Sequence, residues 1–165
     1  MSEVIIYYLE MNTLNELNPK LDARGLTVTE VEVKNFRFNR FLYQYVGEPW
    51  EWTDKLTHSD ELWKTYAESP MVSTYVAYYR GAIAGYFELQ NTETGDVEIK
   101  YFGLAEDFIG KGHGGYLLTC AIESAWSLPG AKRVWLHTCS LDHPSAMQNY
   151  KARGFKLYKE EVDED

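Results

Sequence analysis

Apolar and polar positions alternate along this chain with two periods, and each change of period marks a change of element. Residues 4–9 are a nearly continuous apolar run and predict a buried strand. Residues 26–33 alternate strictly through Thr27-Val28-Thr29-Glu30-Val31-Glu32-Val33 and predict a half-buried one. The stretch between them, with Asn15, Asn18, Pro19, Asp22 and Gly25, reads as loop. A helical period follows. Asn39 is placed to cap a helix whose apolar face is Phe41, Leu42, Tyr45 and Val46, with Gly47 and Pro49 as its stop. Residues 49–52 read as irregular. Ser59 caps a second predicted helix, with Asp60 and Glu61 in its first turn and Leu62, Trp63, Tyr66 and Ala67 on one face; Pro70 closes it.

From Val72 the period shortens to two. Residues 72–79 and 82–90 predict strands joined by Arg80-Gly81, a hairpin signal, and 91–96 a polar turn. Residues 97–104 predict a further buried strand. Then Leu117, Leu118, Ala121, Ile122, Ala125 and Trp126 recur with the period of a helix. Pro129-Gly130 breaks the chain, and residues 133–138 alternate Val134 and Leu136 against Trp135 and His137 as a strand. Pro144 at a first helical position and Gly154 beyond the end bracket another helix. Residues 155–162 predict the last strand before the acidic Asp163-Glu164-Asp165. The predicted order is β, β, α, α, β, β, β, α, β, α, β, a mixed sheet flanked by helices.

Composition narrows the function. The 165 residues are one domain's worth, read as a single domain over 1–165, enough to bury about 70% of the unfolded surface. The formal net charge of −9 argues against a nucleic-acid partner, which needs a basic surface, and suits a cationic small substrate. No apolar run is long enough for a bilayer, and Met1-Ser2-Glu3 carries no basic leader, so a cytoplasmic protein without a membrane partner is expected. Cys120 and Cys139 lack metal-ligand spacing, and no metal is expected.

The most specific stretch is Ile109-Gly110-Lys111-Gly112-His113-Gly114-Gly115, set between a strand and a helix. Glycines there let a ligand approach the backbone and permit positive φ. The first helical N–H groups lack acceptors and the helix dipole favours an anion, so the turn suits a phosphate or diphosphate. A Walker loop needs Ser or Thr after the lysine, whereas Gly112 follows Lys111. Gly110, Gly112 and Gly115 satisfy GxGxxG, but no second dinucleotide-binding half follows. A turn with no ligand is the plain alternative.

Residues 104–114 resemble motif A of the GNAT superfamily of N-acetyltransferases, V-x-P-x-x-[RQ]-G-x-G-x-[GA], with Glu106 at the proline position and Ile109 at the Arg/Gln position. Residues 143–155 resemble its motif B, N-x-x-A-x-x-x-Y-x-x-x-G-F, with His143 at the Asn position and Tyr150 at the tyrosine. The resemblance covers roughly residues 72–160. It implies an α/β (α+β) fold: a mixed, mostly antiparallel central sheet, about four flanking helices, and parallel strands that splay at the cofactor site.

It implies further that acetyl-CoA is the co-substrate and that a primary amine of a small molecule or peptide is the acceptor, attacked directly. Backbone groups of Phe102, Gly103 and Leu104 would pair with the pantetheine, one N–H polarising the thioester. The amides of Ile109, Gly110, Lys111, Gly112, His113, Gly114 and Gly115 would hold the diphosphate, Lys111 adding a charge and the His113 ring facing solvent. Tyr150 would protonate the leaving thiolate. Glu98 is the candidate base, kept ionised by Lys100 two residues on; Glu88 and His137 are weaker candidates. Asp142 and His143 are placed to cap the motif B helix, and His143 to meet the cofactor. Trp50, Trp52, Trp63, Tyr43 and Tyr45 would wall the acceptor site, or simply pack. A homodimer is common in the family. A noncatalytic acyl-CoA-binding module and a nucleotide-binding protein are the competing readings.

Overall fold

A computed structural model describes residues 3–163; Met1, Ser2, Glu164 and Asp165, part of the N-terminal and acidic-tail readings, lie outside the described residues. The elements follow the predicted order: β1 (Val4–Met11), β2 (Leu26–Glu30), α1 (Phe36–Gly47), α2 (Asp60–Ala67), β3 (Val72–Tyr79), β4 (Ala82–Gln90), β5 (Asp96–Leu104), α3 (Gly114–Trp126), β6 (Arg133–Cys139), α4 (Ala146–Arg153) and β7 (Lys156–Asp163). The strands form one sheet in the order β2-β3-β4-β5-β6-β1-β7. Every neighbouring pair is antiparallel except β5 with β6. The mixed, mostly antiparallel sheet with four helices is the fold expected from the resemblance.

Local chemistry sets the turns. Arg80 and Gly81 both take positive φ, 50° and 89°, the twist that joins β3 to β4 most tightly. Ser59 accepts from the Leu62 N–H and starts α2 as predicted. One sheet face carries Leu9, Val97, Val134 and Leu136 against Leu117, Leu118 and Ile122 of α3. Full burial of each such side chain stabilises by about 1.5–3 kcal/mol. On the opposite face, α1 lays Leu42 and Val46 on Val76 and Tyr86. The sheet therefore has α1 and α2 on one side and α3 and α4 on the other.

Several local expectations are corrected. The cap of α1 is Asn35, whose side chain accepts from the Arg37 N–H; Asn39 lies inside the helix and is buried. The buried stripe is Phe36, Leu42, Tyr43 and Val46, so Phe41 and Tyr45 face solvent. The stripe turns toward Phe36 and Tyr43 because they pack against Trp63 and Ala67 of α2, beside the sheet contacts of Leu42 and Val46. Leu62 is likewise exposed on α2. Strand β2 stops at Glu30 rather than Val33; one further hydrogen bond, from the Val31 N–H to the Thr74 carbonyl oxygen at 2.8 Å, follows before the chain leaves the sheet. Pro144 precedes the α4 cap, Ser145, instead of opening the helix, while Gly154 ends it at φ 116° as expected. No helix among the described residues is long and apolar enough to cross a membrane.

Candidate functional site

The parallel strands β5 and β6 pair at only three positions, Asp96↔Arg133, Val97↔Val134 and Glu98↔Trp135. Beyond them the strands part. On its other edge β5 stays paired to β4 through Phe87↔Phe102, Tyr86↔Gly103 and Gly85↔Leu104. Alternate main-chain groups on the β6 side of β5 are thus left open. The gap is a cleft of about 460 Å³ reaching both sheet faces: Tyr150 lines it from the α4 side, Tyr43 and Trp52 from the α1 side. Gly103 is required here for packing, since a Cβ would lie 2.8 Å from Val46 Cγ1.

The glycine turn sits at the far end of β5, after a short 3-10 turn over Glu106–Phe108. Gly110 and Gly112 take φ 82° and 85°, a region that only glycine enters freely. Helix α3 starts without a side-chain cap. The N–H groups of residues 112–115 meet no backbone or side-chain acceptor among the described residues. A bare helix start whose side chains have been removed fits a diphosphate. Ile109 is partly buried, and Lys111 is exposed with Nζ 5.8 Å from the Phe108 ring. The His113 ring does not face solvent. It is 4% exposed, its Nε2 lies 3.1 Å from the Arg24 carbonyl oxygen, and Tyr79 packs 5.7 Å away. The position one residue before α3 points inward, so an amphipathic histidine there is drawn into the core.

Tyr150 lies in the cleft wall, its ring packed edge-on against Phe102 at 6.1 Å. Its hydroxyl has no hydrogen-bond partner among the described residues. Burial, then the Asp142 carboxylate, push it above the ordinary tyrosine range, which keeps it protonated.

Asp142 does not cap α4. It accepts from Thr138 Oγ1, from the Cys139 N–H at 3.2 Å and from Trp52 Nε1 at 3.3 Å. It thereby ties the end of β6 to the segment after α1. His143 accepts from the Ser145 N–H at 3.0 Å and stands edge-on to Trp50, 5.3 Å between centroids.

The candidate bases separate. Glu98 is 8% exposed, with Oε2 3.6 Å from His137 Nε2 and Oε1 3.9 Å from Lys100 Nζ. The half-exposed His137, not Glu98, stands on the cleft wall. Glu88 does not line the cleft, although its cross-strand partner Tyr101 does. Buried, it accepts from Asn39 Nδ2 at 2.5 Å, from Tyr66 at 2.6 Å and from Thr74 at 3.4 Å. Burial raises its pKa and those three hydrogen bonds oppose the rise. Glu88 is a knot that ties α1 and α2 to the sheet.

The aromatic group divides similarly. Tyr43, Trp50 and Trp52 line the cleft, with Tyr101 edge-on to Tyr43 at 5.3 Å. Trp63 is core behind Tyr43, and Tyr45 stacks outside on Phe41. Sequence reasoning missed Glu51, Asp54 and Asp142 on the same wall. A clue was available in Glu51, between the two tryptophans, and in Asp54, two residues after them; nothing local marked Asp142 as sharing their wall.

The sequence matches the profile of the family described as Acetyltransferase (GNAT) family over residues 39–155. No curated protein matches it significantly. A GCN5-related N-acetyltransferase from Sphaerobacter thermophilus is similar with TM-score 0.74 and 18% identity, over 98% of this chain and 51% of that one. Another, from Kribbella flavida, gives 0.64 and 17%, over 95% and 55%. The IAA acetyltransferase from Bacillus cereus gives 0.58 and 22%, over 81% and 79%. This chain spans about half the length of the first two structures. At these identities the likeness is one of fold.

Proposed function

The chain belongs to the acetyltransferase (GNAT) family, and from that premise we propose that it is an N-acetyltransferase acting on the primary amine of a small molecule or peptide. The observation that carries the reading is the parting of β5 from β6 after Glu98 and Trp135, which opens a strand edge beside a buried tyrosine. When bound, acetyl-CoA supplies a thioester whose carbonyl carbon takes the amine and whose sulfur leaves.

The chain's own residues have three tasks. The first is holding the cofactor. The free amides of residues 112–115, with the α3 dipole, would grip the diphosphate, joined by Gly110 and by the Lys111 charge. His113 contributes only main chain, since its ring is buried. The open edge of β5 at Phe102, Gly103 and Leu104 would receive the pantetheine amides as an added strand, and one N–H would polarise the thioester carbonyl.

The second task is taking the proton. An alkylammonium with pKa about 10.4 is scarcely nucleophilic at neutral pH. In our reading Glu98 acts as the base through His137. The carboxylate faces Nε2, which leaves the other ring nitrogen to accept the amine proton. His137 would first take the ammonium proton and pass it to solvent, and as the freed amine nitrogen forms its bond to the carbonyl carbon it would take the second proton that nitrogen sheds.

The third task is the departing sulfur. The Tyr150 hydroxyl, kept protonated by burial, would donate to it. It is a weaker acid than a thiol of pKa about 8.5. It therefore stabilises the nascent charge by a hydrogen bond and yields its proton only as solvent resupplies one.

The acceptor wall carries Glu51, Asp54, Asp142 and Asp163 against Lys55 and Lys100, an excess of carboxylates among tryptophan and tyrosine rings. That lining favours a cationic amine, through charge and cation–π contact. The test is thiol release from acetyl-CoA by purified protein across a panel of alkyl, aryl and polycationic amines and an N-terminal peptide amine. Acceptor-dependent release is expected, strongest with cationic amines. Coenzyme A binding with no transfer to any acceptor would support the noncatalytic module instead.

A further inference from the structure

The helices on the α1 side leave part of the sheet bare. Along β1 and β6, Leu9, Val134 and Leu136 pack toward α3. Their neighbours in sequence, Tyr8, Trp135 and His137, therefore project to the opposite face, and the register sets Tyr8 beside His137. The two clusters that α1 and α2 build on that face contain no residue of β1, β6 or β7. In place of a helix, these three strands carry a pavement of rings. Tyr8 lies 6.4 Å from Trp135, 5.9 Å from His137 and 6.3 Å from the exposed Tyr158 of β7, and Trp135 lies 6.2 Å from His137. His137 belongs to both surfaces: it stands on the cleft wall and forms one border of the pavement. An amine that His137 serves can lay the rest of its body across these rings.

The charges around the rings decide what they can hold. The Arg133 guanidinium sits 5.9 Å from the Trp135 ring and 5.2 Å from the Tyr158 ring, and Lys159 Nζ sits 5.0 Å from the Tyr8 ring. Both cations are paired within the surface. Arg133 Nε meets Glu10 Oε1 at 2.7 Å, Lys159 Nζ meets Glu161 Oε1 at 2.7 Å, and the Tyr8 hydroxyl donates to Glu161 Oε2 at 2.9 Å. The cation–π positions are taken and these carboxylates are spent, so a second cation gains little here. What the pavement offers is ring area, which favours an uncharged aromatic body. The ammonium end is served separately, by the cleft with its excess of carboxylates.

We infer that the rings of Tyr8, Trp135 and Tyr158 are the specificity surface for the acceptor, and that the acceptor is an arylalkylamine, with its amine at His137 and its ring on Tyr8 and Trp135. The inference deepens the acetyltransferase reading above and rests on it. The geometry also sets the linker. The ring must lie one ring spacing beyond His137, and spacings of 5.9 and 6.2 Å correspond to about two or three carbons at ~1.5 Å per bond.

The test is the ratio of kcat/KM for phenethylamine over hexylamine, amines of similar length, read as acceptor-dependent thiol release from acetyl-CoA. Wild type should favour the aryl amine by about 10-fold, the scale of one or two aromatic pairs. Benzylamine, one carbon shorter in its linker, should fall below phenethylamine. Y8L and W135L keep apolar bulk but remove a ring, and each should bring the ratio toward 1. The two amines share base and cofactor, so a general loss of activity cancels in the ratio. Should either variant fail to fold, wild type still decides: phenethyl alcohol should compete with the acceptor more strongly than hexanol.

A wild-type ratio near 1, a ratio that survives both substitutions, or equal inhibition by the two alcohols overturns the inference. So does a ratio that collapses only in W50T, which moves the aromatic body to the cleft's own rings. A dimer in sedimentation that W135L dissociates also overturns it, because a second copy then covers the pavement. Transfer without aryl preference removes this assignment alone; if wild type acetylates no amine, the acetyltransferase reading falls and this assignment with it.

Discussion

The two halves of the cleft are built from different materials. The α3 side presents main chain: the open edge of β5 and four amides at a helix start cleared of side chains. The α1 side presents side chains, drawn from α1, the segment after it, β5, β6 and the turn before α4. A surface of amides recognises groups common to every ligand that carries a diphosphate and a peptide-like arm. A surface of aromatic rings and carboxylates recognises one shape and charge. In this reading the first half holds the constant reactant and the second selects the variable one.

The largest predicted effect lies at the seam. Tyr150→Phe should lower turnover by about 10²–10⁴-fold, the range for a positioned proton donor, with coenzyme A affinity nearly unchanged. Steady-state kinetics with calorimetry would show it; full turnover in the variant removes the donor role. Next comes the acceptor half. Glu98→Gln should slow turnover by about 10- to 100-fold and alter the pH profile, and His137→Gln should do the same. The double variant should add little to either, because the two side chains act as one unit 3.6 Å apart. Additive losses would show that they act separately.

The smallest predicted effect is on stability and concerns the knot behind the acceptor wall. Glu88 has a folded-state pKa above its ordinary value near 4.5, chiefly from burial. The folded state therefore binds the proton more readily than the unfolded chain. Its contribution is fully present below about 4.5 and is lost as pH rises through the raised value. Glu88→Gln, which cannot ionise, should lack this decline, so wild type should lose stability relative to the variant as pH rises out of the acid range. Melting temperatures of both proteins from about pH 4 to 8 check the sign; parallel curves contradict it.

The same contrast explains what could be read in advance. The glycine turn and the tyrosine helix were visible because main-chain sites leave local traces: Gly110 and Gly112 stand where φ is positive, and Tyr150 keeps a fixed distance from Gly154. Strand and helix order came from periodicity, which the core enforces. Asn39 was misread because an asparagine before an apolar stripe looks like a cap; its value as a buried donor to Glu88 depends on a residue 49 positions away. His113 was misread because the burial of one loop position is decided by Tyr79 and Arg24, not by its neighbours in sequence. That His137, and not Glu98, stands on the cleft wall is a tertiary fact of the same kind.

The central claim is that bare amides at the start of α3 hold the diphosphate of an acyl carrier. Its most direct test is a thermal-shift comparison of the wild-type protein with coenzyme A, ATP and NAD at matched concentrations, since a ligand that binds only the folded state raises the melting temperature by mass action. Stabilisation by coenzyme A that exceeds both nucleotides is the predicted result. Equal or greater stabilisation by ATP or NAD, or none by coenzyme A, contradicts it.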